Sequence, residues 1–152
     1  MNYYLSVLKN YATFTGRARR SEYWYFVLFN MIFSIVALII DYFLGTTINI
    51  EQSNGYSSLS IHIGYINLLY GLAMFLPGLA VLVRRLHDVG KSGWFIFICL
   101  IPLVGAIWLL VLLCTDSKSG SNQFGPNPKG IGNHDEIDEI GSDLVNKTSP
   151  GR

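Results

Sequence analysis

Three stretches of this chain are long, apolar and almost free of charge: Tyr23 to Leu44, Ile63 to Val83 and Trp94 to Cys114. Each is near the roughly 20 mainly apolar residues that a helix needs to cross a bilayer. Asp41 is the one acidic or basic residue inside them. Charged types make up only 14% of the 152 residues and hydrophobic types 51%, whereas a soluble domain is roughly a quarter charged. Too few charges remain to cover a water-facing surface. The chain is also too apolar for a disordered protein, and a net charge of +1 does not suit a basic nucleic-acid binder. The pattern predicts an all-α membrane protein with about three transmembrane helices.

Aromatic residues gather at the ends of these stretches, with Tyr23, Trp24 and Tyr25 opening the first, Tyr42 near its close, and Trp94 opening the third. Such rings prefer the headgroup region. The first stretch begins only at Tyr23, is too long for a signal-peptide core and lacks an A-x-A-like exit, so it reads as a span. Pro77-Gly78 interrupts the second stretch, and Pro102 with Gly105 the third. Each proline removes a helical hydrogen bond, which a membrane tolerates when a neighbouring group satisfies the freed carbonyl.

Orientation follows from Lys and Arg. Four precede the first stretch (Lys9, Arg17, Arg19, Arg20), and three lie between Arg84 and Gly93 (Arg84, Arg85, Lys91). The connection from Gly45 to His62 has none, only Glu51. The positive-inside rule therefore puts the amino terminus and the 84–93 loop in the cytoplasm. Three full crossings would leave the carboxyl terminus outside. If Pro102 and Gly105 fold the third stretch into a re-entrant hairpin, the tail returns to the cytoplasm.

The first fourteen residues form a separate element. At 100° per residue, Tyr3, Tyr4, Leu5, Val7, Leu8, Tyr11, Ala12 and Phe14 fill one arc, and Asn2, Ser6, Lys9, Asn10 and Thr13 the other. This predicts an amphipathic helix lying in the inner interface, or packed on the protein's own helices. Residues 115–152 are rich in Gly, Ser, Asn, Pro and Asp, with too little apolar area to order themselves, so a flexible tail is expected. Cys99 and Cys114 are fifteen positions apart, roughly 22 Å on a helix. They read as unpaired, buried apolar residues.

Two basic clusters could carry chemistry. In Gly16 to Trp24, Ser21 suits a helix N-cap, Glu22 the first turn, and Arg17, Arg19 and Arg20 lie just outside the bilayer. In Arg84 to Trp94, Arg84 and Asp88 stand at i, i+4, His87 could titrate near neutrality, and Lys91 adds a charge. Arginine suits bidentate phosphate binding, so Arg17, Arg19, Arg20, Arg84, Arg85, His87, Asp88 and Lys91 are candidates for an anionic-lipid or pyrophosphate site. They could equally satisfy one another as a polar cap. A third set, Asn30, Ser34, Asp41 and Asn67, is polar within the membrane. It suits bonding between helices or an ion path. No nucleotide, metal or nucleophile motif is present, so no catalytic residue, cofactor or metal is expected.

Four segments resemble motifs of the domain-of-unknown-function family 805, small bacterial inner-membrane proteins. They are YYLSVLKNY, FTGRARRSEYW, RRLHDVGKSGW and GSNQFGPNP, the last from Gly120 to Pro128. The resemblance covers about four-fifths of the chain and leaves out its acidic end. It implies a multi-pass protein of the cytoplasmic membrane and no established activity. The expected role is a non-enzymatic envelope or partner-supporting protein whose Arg-rich cytoplasmic face binds anionic lipid. A second copy or another membrane protein would be its protein partner, and nucleic acid would not be bound. The alternatives are a small oligomeric transporter or channel and an enzyme acting on a phosphorylated lipid.

Overall fold

The computed structural model describes residues 2–53 and 58–133. In chain order they form α1 (Asn2–Lys9), α2 (Arg20–Leu44), β1 (Thr47–Ser53), β2 (Ser58–Gly64), α3 (Tyr65–Asp88), a 3-10 segment (Gly93–Leu100) and α4 (Val104–Cys114). Residues 134–152, including His134 and most of the acidic end, lie outside the described residues.

Rich in Leu, Ile and Phe and free of Gly and Pro, α2 runs for 25 residues, about 37 Å. It starts at Arg20, after an extended Arg19 that makes no side-chain cap. Ser21 therefore sits in the first turn and is not the N-cap. Gly45 stops the helix at φ 64, a left-handed conformation that glycine adopts without strain. A two-stranded antiparallel hairpin, β1 with β2 in register Thr47↔Gly64 to Ser53↔Ser58, joins α2 to α3. The sequence pattern had suggested only a loop there.

The helix α3 is 24 residues long and contains Pro77. Proline has no N–H, so the carbonyl of Ala73, four residues earlier, loses its helical partner. The Tyr11 hydroxyl donates to that carbonyl. Among the described residues, α2 and α3 are the two helices long and apolar enough to cross a membrane. Only 11% and 17% of their most apolar windows are buried, so their apolar surface faces outward. We call the end holding Arg20 and Asp88 the arginine end, and the opposite end the far end.

The third stretch is not one spanning helix. The 3-10 segment and α4 are separated by Ile101, Pro102 and Leu103. Leu103 has φ 64 and ψ −62, and Val104 N–H donates to Pro102 C=O at 2.8 Å, closing a γ-turn. Gly105 permits the reversal, because a Cβ there would overlap the Ile98 carbonyl. Both ends of the hairpin meet the same end of α3. Gly93 packs beside Val83, where a Cβ would come within 2.8 Å, and Leu113 C=O accepts from Arg85. The chain thus enters and leaves on the arginine side. Cys99 and Cys114 are unpaired but exposed, not buried as expected.

The small core lies at this end too: Tyr4, Val7, Ala18, Phe26 and Val81, with Leu8, Tyr23 and Phe29 against it. Tyr4 and Val7 belong to α1, so part of that helix's apolar face packs on α2 and α3, while Tyr3 and Leu5 stay exposed. This is the packing on the protein's own helices given above as the alternative to interfacial docking.

Candidate functional site

The arginine end is built around one fully buried carboxylate. Asp88, in the last turn of α3, accepts from Arg17 Nε at 3.0 Å, from Arg85 and from Ser117 Oγ at 2.6 Å. A buried charge needs this kind of pairing to offset its desolvation. The two basic clusters are therefore one structure, joined across 71 positions of sequence. The expected i, i+4 pair of Arg84 with Asp88 does not form. Asp88 pairs with Arg85 instead, and Arg84 pairs with Glu22 at 3.0 Å.

Once Asp88 is neutralised, the guanidinium groups have donors left, and these hold backbone. Arg17 donates to the carbonyls of Lys118 at 2.6 Å, Gly120 at 2.7 Å and Gly125 at 3.3 Å. Arg85 donates to Leu113 and Thr115, and Arg20 to Cys114. These carbonyls end α4, where the helix dipole favours cations. Arg19 holds the Pro128 carbonyl through Nε at 2.6 Å and a second nitrogen. The tail is thereby pinned: Lys118 N–H donates to Asp88 C=O at 3.1 Å, and Asn122 Nδ2 to His87 C=O at 3.0 Å. Residues 115–133 are not the flexible tail their composition suggested. Buried arginine supplied from elsewhere replaces the apolar area that this segment lacks.

His87 and Lys91 have roles of the same kind. The His87 ring stacks on Phe124 with centroids 3.8 Å apart, and its Nδ1 lies 3.2 Å from Gly16 C=O. The Lys91 ammonium sits 5.3 Å over the Phe95 ring. The GSNQFGPNP segment thus supplies contact partners that no spacing argument identified, Phe124 and Asn122 among them. Ser117 gave no signal at all.

Arg20 differs from the other arginines. Its side chain is 44% exposed and lies 3.3 Å from Asp116. With Ser21 it stands at one end of a groove of about 480 Å³ whose other walls are Trp24, Tyr25, Leu28 and Cys114. Lys129 donates to Asp116 from the other side. That hydrogen bond first, then the Ser117 backbone N–H and the Arg20 charge, hold the Asp116 carboxyl below its usual range.

The polar residues of the membrane region bridge α2 and α3. Tyr70 donates to Asn30 at 2.6 Å and Ser34 to Asn67 Oδ1 at 2.8 Å. Asp41 is fully buried. It accepts from Thr46 Oγ1 at 2.6 Å and from the backbone N–H groups of Ile66 and Asn67 at 3.0 and 2.9 Å. It is the N-terminal cap of α3, supplied by another helix. Among the described residues, no group of His, Cys, Asp or Glu is placed to hold a metal ion.

A family model described as "Protein of unknown function (DUF805)" matches residues 11–126. Over 129 residues the chain is 45% identical to the inner membrane protein YhaI of Escherichia coli K12, spanning 85% of this chain and 97% of that one. It is 43% identical to the inner membrane protein YhaH of the same strain, spanning 85% and 98%. No solved structure matches. The family match and these relatives agree: the chain belongs to the DUF805 family of bacterial inner-membrane proteins of unknown function.

Proposed function

We propose that the protein is a multi-pass, non-enzymatic protein of the bacterial inner membrane that binds anionic phospholipid at the arginine end. It crosses the membrane twice, with α2 and α3, and its amino terminus, arginine end and tail lie in the cytoplasm. The Lys and Arg bias between the two ends supports this orientation.

The observation that carries the lipid reading is the groove beside Arg20. Arg17, Arg19 and Arg85 are turned inward and hold the chain's own carboxylate and carbonyls. Arg20 also reaches Cys114 C=O and Asp116, but its side chain stays partly exposed, with Ser21 beside it and Trp24, Tyr25 and Leu28 below. A cation and a hydroxyl above an apolar, aromatic wall complement a lipid phosphate above its acyl chains. The eight-residue site suggested by spacing contracts to Arg20, with Lys91 as a further exposed cation. A proton path is less well supported, because Asp41 already accepts three hydrogen bonds. An enzyme is no better served, because the Asp88 cluster is buried beneath the tail.

Gentle detergent extraction and native mass spectrometry test this. Phosphatidylglycerol or cardiolipin should be retained over phosphatidylcholine, and Arg20→Ala should weaken retention about fivefold, since one such charge is worth about 1 kcal/mol. Equal retention of all three lipids, or an Arg20→Ala variant that binds as well as the parent, would overturn the proposal.

A further inference from the structure

We infer that the hairpin Gly93–Cys114 is a wedge in a single leaflet, so that the protein's placement in a membrane depends on curvature. The inference rests on the membrane-embedded reading above but not on lipid binding at Arg20.

Length is the first support. The eight residues of the 3-10 segment rise about 16 Å, and the eleven of α4 about 16 Å. That is half of a hydrocarbon core of about 30 Å. Both limbs start from the arginine end, and Ile96 and Phe97 line one apolar groove with Leu79 and Val83, in the arginine-side half of α3. The hairpin therefore stops near mid-membrane.

The second support is its surface. From Trp94 to Cys114 no residue is charged, and the tip is highly exposed, with Leu100 at 75% and Leu103 at 80%. Water would not tolerate such a tip, and hydrocarbon would require its backbone to be hydrogen-bonded internally. The turn meets much of that requirement. The carbonyls of Ile98, Ile101, Pro102 and Leu103 accept from Ile101, Gly105, Val104 and Ile107, and Pro102 has no N–H to satisfy.

The third support is α1. Its Tyr4 packs on Phe26, Phe29 and Phe33, with centroids 5.5 to 5.7 Å apart, again toward the arginine end. That half of the membrane thus holds α1, α2, α3, the 3-10 segment and α4, while of the described helices the far half holds α2 and α3. At roughly 80 Å² for each rod about 10 Å across, the cross-section more than doubles between the leaflets. A body of this shape fits best where the arginine-side leaflet is expanded, on the convex face of a curved membrane.

Full-length protein reconstituted by one protocol into small and large phosphatidylcholine vesicles tests the wedge. Orientation is read by labelling Lys118 and Lys129 with an impermeant reagent. Small vesicles should carry a roughly threefold excess with the arginine end outside, relative to large ones. No dependence on size, or the opposite bias, would overturn the inference. Anionic lipid is absent, so failure of the Arg20 reading leaves this result unchanged. In a C99S/C114S background, a cysteine at Leu103→Cys should resist aqueous thiol reagents from both sides and be quenched, once labelled, by mid-chain brominated lipid. Reaction from the far side would show a full crossing. Disulfide-linked dimers without quenching would show that a second copy covers the tip. Either result would overturn the inference.

Discussion

The α2–α3 pair holds one fully buried carboxylate at each end, and the two are used in opposite ways. Asp88 faces two guanidinium groups and a hydroxyl, and the leftover donors of Arg17 reach across 103 and 108 positions to fasten the tail. Asp41 faces no cation among its hydrogen-bond partners. Two backbone N–H groups and one threonine satisfy it, and Gly64 lets the next segment come close, because a Cβ there would overlap the carboxylate. A buried acid among arginines organises distant segments. A buried acid at a helix start completes one helix. The arginine end has the core, the clamps and the tail, whereas the far end depends on Asp41 and two polar pairs.

Removing each acid breaks the comparison most directly. Asp88→Ala leaves Arg17 and Arg85 buried without their shared partner, which should cost about 3–5 kcal/mol. Thermal unfolding in detergent should show a large drop, and protease should cut within residues 115–133. A variant with an unchanged melting point would mean that the carbonyl contacts alone hold this end. Asp41→Ala removes a cap, so its effect should be smaller and local. Hydrogen exchange should speed up roughly tenfold at Ile66 and Asn67, with the tail still protected. Exposure of the tail in this variant would show that the two ends are coupled.

The smallest effect is expected from acid. Asp116 is held below its usual range in the folded protein, so it favours the folded state at pH above its unfolded value. That contribution fades as pH falls through the lower folded value. The carboxylate is more than half exposed, and solvent screening keeps the contribution small. Tail protection, followed by limited proteolysis with an acid-active protease, should begin to soften as pH falls into the ordinary carboxylate range and fall no further on this account below the lower folded value. Loss of protection at milder pH would assign the tail's anchoring to another group.

Much of this architecture is legible along the chain. The apolar stretches of α2 and α3 stand out because hydrocarbon selects on summed side-chain character over some 20 residues. Pro102 and Gly105 mark the reversal, since each acts on its own local backbone. The β1–β2 hairpin is not read from the sequence, although TINI and SLSIHI alternate polar and apolar types. The cation site was harder to read. Five arginines near one interface look alike in sequence, and spacing paired Arg84 with Asp88 when Arg17 and Arg85 are the partners.

From the amino-acid order alone come the preference for hydrocarbon, the basic end and the places where helices must break, because each depends on composition or on neighbours a few residues away. The folded chain alone decides which arginines are buried as clamps, that Arg20 keeps its charge exposed, and that α1 and the third apolar stretch thicken one half of the molecule. These depend on contacts between groups tens of positions apart. Burial in a low-dielectric interior makes such contacts strong, and local pattern carries no record of them.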